Sequence, residues 1–449
     1  MKKNNILWEF FASVKLALFT FIALAATSII GTVILQGEPM SYYVKEFGPT
    51  TATIFKYLHV PDMYNSWWFL SLLVLFSLNL IVCSLDRIPN VIRIVKTDNL
   101  DTDPGRFEKL RGSTVLRSAL PVDELKAKVP EILAGASWKS RSAEKEGGSL
   151  FFSQKGGWTR FGVYAVHTSI LIIFVGAIIG SLFGFKAWVS IPEGTGTKIV
   201  YQRNEAHTPI PIGFELFCDQ FDLSYYDNGM PKDYTSHLTV KKDGKTLFKR
   251  VIEVNDPLQY KGLTFYQSSY QSLDGQFIIS VKDEASGQEA RYVTMARQEQ
   301  KWPEKNLSFG IIDQRGPDFY GHYQNKIWFS DGQGNPVEFW TDDGAPIEIK
   351  RPSANYNFVV KGRFATGLQV AKDPGVWFVY AGCSLMILGL IVVFFLSHRR
   401  VWVWVRAEGK GSAIVLSGNA NKNKAAFEKD LEKIADAFQE AGGLKISAT

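Results

Sequence analysis

Apolar residues in this chain are gathered into four long runs. Residues 14–35 (VKLALFTFIALAATSIIGTVIL) are apolar apart from Lys15 and a few hydroxyls, and 67–82 (WWFLSLLVLFSLNLIV) are nearly continuous. Residues 161–183 contain one side chain able to carry a charge near neutral pH, His167, and 376–396 carry no charge. About 20 apolar residues cross the roughly 30 Å hydrocarbon layer, and backbone in lipid must be helical because no water is there to bond it. The pattern predicts transmembrane helices at 14–35, 67–86, 161–183 and 376–397. The first run is too long for a signal peptide core and is followed by no small-x-small cleavage site, so it reads as a retained helix.

Basic residues then orient the spans. Lys2, Lys3 and Lys15 precede or open the first. Arg87, Arg93, Lys96, Arg106, Lys109 and Arg111 follow the second, and Lys155 and Arg160 precede the third. His398, Arg399, Arg400, Arg406 and Lys410 follow the fourth, whereas 36–66 holds only Lys45 and Lys56. By the positive-inside rule, 1–13, 87–160 and 398–449 are expected to be cytoplasmic, and 36–66 and 184–375 extracytoplasmic.

The long extracytoplasmic segment reads as strands. Alternating runs flank Asp243 and Gly244 within 237–254, a hairpin signature. The same idea recurs in 277–295 around 284–288, and in 337–349 around 342–344. Many short strands with Gly- and Asp-rich turns predict an antiparallel sandwich or barrel. The cytoplasmic insert reads as a small α+β unit: a strand at 115–119, a helix at 122–133 weakened by Pro130, and a hairpin of 138–142 with 149–154. In the tail, Phe427, Leu431, Ile434 and Phe438 form one helical stripe over 425–441, expected to dock on that insert. The fold class is therefore an α-helical polytopic membrane protein with a large, mainly β extracytoplasmic domain and a small α+β insert.

Composition alone hides this division. The 449 residues are 46% hydrophobic and 21% charged with net charge +6, and the mean hydropathy of −0.03 averages apolar spans with polar domains. Ordinary Gly and Pro content and three cysteines exclude collagen-like, disordered and disulfide-scaffold chains. The basic excess marks helix ends and is no nucleic-acid footprint. The sequence has no Walker A loop, G-x-G-x-x-G, H-E-x-x-H or G-x-S-x-G. Cys83, Cys218 and Cys383 form no C-x-x-C, and no C-x-x-C-H offers covalent haem attachment. Aromatic clusters at 66–69 and 402–404 read as interfacial anchors, and that at 265–270 as a core strand.

His167 is the informative residue. Counted from Arg160, it is roughly 10 Å inside the cytoplasmic boundary, where ionisable groups are costly and usually face the bundle interior. Three readings compete: a structural histidine bonded to a neighbouring helix, a proton relay, or an axial haem ligand. A relay needs further ionisable partners at depth, and Lys15 lies near the surface. A six-coordinate haem needs a second ligand, and the spans hold no second histidine, so physics alone favours the structural reading. His59 is expected outside, before the second span; solvated surface is the default for His207, His237 and His322, and the basic cytoplasmic end for His398.

Taken in order, several segments resemble the ResB family, the ResB/CcsB-type component of system II cytochrome c maturation. They are GTVILQ at 31–36, YNSWWF at 64–69, CSLDR at 83–87, VHTS at 166–169 with the Gly-rich 176–184, VNDPL at 254–258, GLTFYQSSY at 262–270 and LQVAKDPG at 368–375. The resemblance implies a non-catalytic or co-catalytic subunit of a haem lyase complex in the bacterial cytoplasmic membrane. Its expected partners are a ResC/CcsA-type membrane protein, apocytochromes c and thioredoxin-like thiol reductants of the same pathway. Its cofactor would be haem b, held transiently and shared with the partner. His167 matches the family's intramembrane histidine and is the implied haem-iron ligand, the opposing ligand coming from the partner. A scaffold or apocytochrome chaperone that never binds haem is the alternative.

Overall fold

In a computed structural model, the described residues are 5–110, 112–202, 207–226, 230–316, 323–352, 354–409, 411–442 and 445–447. Lys2, Lys3, Arg111, His322 and Lys410 lie outside them. The helices are α1 (Ile6–Phe11), α2 (Val14–Val33), α3 (Met40–Phe47), α4 (Pro49–Tyr57), α5 (Trp67–Lys96), α6 (Gly105–Glu108), α7 (Val122–Gly135), α8 (Gly162–Phe183), α9 (Val376–Phe395) and α10 (Lys424–Gly442). Among these, α2, α5, α8 and α9 are long and apolar enough to cross a membrane. The chain divides into two compact units, one of residues 1–178 with 375–449 and one of 179–374.

In the first unit, α5 starts where Ser66 accepts the Phe69 N–H at 3.3 Å, an N-cap that satisfies an orphan donor. It does not stop near residue 86: the helix continues through Pro89 to Lys96, so the link to the third apolar run begins as helix. A break at Ala12 and Ser13 separates α1 from α2, and α5 serves it. The fully buried Asn79 donates Nδ2 to the carbonyls of Phe11 and Ser13 at 2.7 and 3.0 Å, and the Cys83 thiol reaches that of Ala12 at 3.1 Å.

The helices α8 and α9 meet along small residues. Gly162, Ser169 and Gly176 on α8 are buried, as are Gly382 and Gly389 on α9. A methyl group on Gly382 would lie 2.6 Å from Ile173 Cγ1 and 2.9 Å from the Ser169 carbonyl. One on Gly389 would lie 2.9 Å from Val166 Cγ2, and one on Gly176 2.8 Å from the Gly375 carbonyl. Seven-residue spacing keeps each set on one helix face, and small side chains let the two backbones approach closely.

The same unit holds a six-stranded antiparallel sheet. Its order is Ser140–Lys145, Gly148–Lys155, Arg399–Glu408, Gly411–Ala420, Thr114–Ser118, Lys445–Ser447. The insert and the tail are therefore one domain, with the tail supplying its two central strands. Trp402 and Trp404, expected to anchor at an interface, instead lie buried in the Arg399–Glu408 strand. Alternation explains the placement. Val401, Val403 and Val405 pack under α7 and α10 with Leu125, Leu133, Phe427, Ile434 and Phe438. Trp402 and Trp404 point the other way, against Leu100, Phe107, Leu150 and Phe152.

The second unit is mostly β. A ten-stranded antiparallel sheet is threaded by two long strands, Leu263–Asp283 and Asn355–Lys372. A four-stranded sheet, with Leu307–Arg315 and Gln324–Ser330 at its centre, shares a core with the far halves of these strands through Phe309, Ile327, Phe329, Ile279, Phe358 and Val360. The Asp243–Gly244 hairpin joins Pro231–Lys242 to Lys245–Ile252, both turn residues having positive φ, as a primed turn requires. The hairpin expected within 337–349 is absent. Val337–Asp342 pairs in the small sheet and Pro346–Lys350 in the large one, so the chain crosses between sheets here. Asp343 pins the crossing, accepting from Asn325 Nδ2 and the Gly362 N–H at 2.8 Å each, and its burial pushes the carboxyl above the usual carboxylate range.

Candidate functional site

His167 sits on the face of α8 turned away from the glycine seam. On that face Ile170, Leu171 and Phe174 join a cluster with Leu24, Phe76 and Leu80 of α2 and α5. The spacing 167, 170, 171, 174 is one helical stripe, so packing against α5 aims the imidazole at that helix. Ser84 meets it there, its Oγ 2.9 Å from His167 Nδ1.

The shorter of the two Ser84 contacts favours one tautomer of the ring. Ser84 Oγ donates its one hydrogen to the Leu80 carbonyl at 2.6 Å. It can therefore only accept from His167, which places the proton on Nδ1. Nε2 keeps its lone pair and has no hydrogen-bond partner among the described residues. A histidine oriented through one nitrogen with the other bare is the arrangement of a metal-ligating imidazole. Tyr164, one turn away, meets the ring edge-to-face at 6.3 Å. Arg87, one turn beyond Ser84 on α5, is close enough for its charge to act on both rings.

The arrangement offers one neutral nitrogen donor in an apolar, aromatic surround. No group of three His, Cys, Asp or Glu able to hold an ion is present among the described residues. The residues present would supply one neutral imidazole nitrogen to an iron-bearing group.

The remaining histidines divide clearly. His59 and His207 are exposed, and His237 Nε2 lies 3.0 Å from Asp222 on the β unit. His398 differs from its expected place at a solvated basic end: it is 1% exposed. Its Nδ1 accepts from Arg160 Nε at 2.8 Å and its Nε2 donates to Gln154 Oε1 at 2.9 Å. Burial, with the charges of Arg160 and Arg400, pushes it down to about 4. Nothing in the sequence marked it, because its neighbours in space come from residues 154, 160 and 421. The cysteines are free thiols, and burial beside Glu193 and Asp219 pushes Cys218 up to about 12, leaving it inert to thiol chemistry. The β unit also carries a cleft of about 1250 Å³ with Asp222, Glu289, Arg291, Arg315, Asp342 and Lys361 on its walls, opposed charges that favour no one ligand.

A model of the ResB-like family matches residues 14–361 and 333–432. Among curated proteins, "Cytochrome c biogenesis protein CcsB" of Crocosphaera subtropica is 29% identical over 453 residues, covering 95% of this chain and 93% of that protein. The protein of the same name from a Synechococcus strain is 29% identical over 447 residues, 95% of this chain and 88% of its own length. That of Gloeobacter violaceus is 28% identical over 449 residues, 95% and 90%.

Proposed function

Because this chain belongs to the ResB-like family, we propose that it is a membrane component of cytochrome c biogenesis that handles haem through His167. The single observation that carries the haem reading is the bare Nε2 opposite a Ser84-held Nδ1. When bound, haem brings an iron whose axial positions take neutral imidazole. This chain's part would be to hold the ring in one tautomer, to surround it with apolar and aromatic side chains, and to offer Nε2 as one ligand beside a second. With no second histidine in its four apolar helices, that ligand comes from a partner, which we take to be a ResC/CcsA-type membrane protein presenting haem to apocytochrome c.

Membrane crossing is supported by the lengths of α2, α5, α8 and α9, and the topology by a strand register. Gly148–Lys155 precedes α8 and pairs with Arg399–Glu408, which follows α9. Strands of one sheet lie on one side of a bilayer, so α8 and α9 together cross and return. Basic residues put that side in the cytoplasm and the β unit outside.

The test is absorption spectroscopy of the full chain purified with its partner. His167→Ala is expected to abolish haem retention and cytochrome c assembly, and His207→Ala to change neither. Unchanged haem content in the first variant would sink the ligand role. A second reading also has an observation behind it, since the Ser84–His167 bond is itself an interhelical link. If that link is all His167 provides, Asn or Gln at 167 keeps assembly intact; an axial ligand tolerates neither.

A further inference from the structure

Two half-buried arginines next to His398 have no counter-charge. Arg160 spends Nε on His398 Nδ1. Arg400 stands directly opposite Gln154 in the strand pair, and Gln154 accepts from the same imidazole. Two-residue spacing puts His398, Arg400 and Trp402 on one face of the strand, and the Arg400 guanidinium lies 5.2 Å from the Trp402 ring. Other arginines of this strand are paired: Arg399 with Asp430, and Arg406 with Glu108 at 2.8 Å. Among the described residues, neither Arg160 nor Arg400 has a carboxylate within ion-pair distance, and the histidine between them is neutral. Burial and the nearness of Arg160 both work against the charge on Arg400. Like charges held together out of water are costly unless an anion completes them.

We propose that Arg160 and Arg400 form a binding site for a phosphate group, presented by the headgroup of an acidic phospholipid. Among the described residues the terminal nitrogens of Arg160 have no protein acceptor, and paired guanidinium donors match phosphate oxygens. The site lies where the apolar helices α8 and α9 end, the depth of the headgroup layer. Exposed Trp158, Phe394 and Phe395 flank it, 59%, 70% and 76% accessible, and offer apolar surface to acyl chains. His398 acts as a neutral spacer that orients Arg160 without cancelling its charge.

The lipid source rests on the proposed bilayer crossing. A chain recovered in the soluble fraction defeats that reading without touching the phosphate site. The experiment is native mass spectrometry of the detergent-purified full chain after exposure to phosphatidylglycerol or phosphatidylcholine vesicles, with parallel melting curves in inorganic phosphate. The wild-type chain is expected to retain phosphatidylglycerol preferentially, and Arg160→Gln and Arg400→Gln each to lower retention about tenfold, a 1.4 kcal/mol effect. Arg93→Gln, which removes an exposed charge at the end of α5, should leave retention unchanged. Arg400 makes no hydrogen bond to His398, so its variant carries the test if Arg160→Gln fails to fold. Stabilisation by inorganic phosphate that both variants lose, with lipid counts unaffected, would keep the site and overturn its lipid source. Equal loss in Arg93→Gln, or no loss in either cluster variant, would overturn the proposal.

Discussion

The two faces of α8 do opposite things with the same helix. Toward α9 it presents Gly162, Ser169 and Gly176, and the backbones close until a single added methyl would collide. Toward α5 it presents His167 among large apolar side chains that pack on Phe76 and Leu80, with the 2.9 Å bond from Ser84 to the imidazole in their midst. The first face leaves no freedom to shift or rotate. The second keeps one nitrogen unengaged, which is useful only if its helix is held still. Rigidity and reactivity are thus divided between faces, the first supporting the second.

That division can be broken, with the largest effect expected at the seam. Gly382→Leu should separate α8 from α9 and cost at least the 1–3 kcal/mol typical of overpacking, read as a lower melting temperature in detergent together with loss of haem retention. A normal melt would mean the helices are not close-packed. His167→Ala should remove haem while moving the melting temperature little, separating reactivity from rigidity; equal loss of both would merge the two faces. A third measurement lies off α8. His398 is held near 4 when folded against 6.5 ordinarily, so the unfolded chain binds the proton first. Stability is then full above about pH 6.5 and falls as the pH drops toward 4. His398→Gln should flatten that slope, and an unchanged slope would place the titration elsewhere. The smallest effect belongs to Ser84→Ala, about 1 kcal/mol of stability and roughly tenfold in haem affinity. No change in affinity would mean that the Ser84 bond does not set the free nitrogen.

The four long apolar helices and His167 were legible from sequence because each helix is one continuous apolar run, and an imidazole inside such a run stands out. Most strands of the β unit were legible from alternation and turns. Pairing was not. Alternation says that 337–342 and 346–350 are strands, but their assignment to different sheets depends on Asp343 and its distant partners Asn325 and Gly362. The run at 402–404 has the composition of an interfacial anchor, and only the strand at 148–155 makes it the middle of a sheet. The glycine seam did leave a signal, a seven-residue repeat in two separate helices, but each repeat acquires meaning only beside the other. The bare Nε2 of His167 left none, since it depends on where the Ser84 hydroxyl sends its hydrogen.

The sheet shared by residues 140–155 and 399–420 also sets a timetable for biosynthesis. When the ribosome has made Leu150, Phe151 and Phe152, the strand that covers them is still more than two hundred residues away in the chain. The domain stays open while α8, the whole β unit and α9 are produced, and it closes only when the strand after α9 meets the strand before α8. Completion of this small domain therefore works as a final inspection of the larger assembly: a chain threaded wrongly keeps a raw strand edge and an uncovered apolar face, the features that proteases and chaperones recognise.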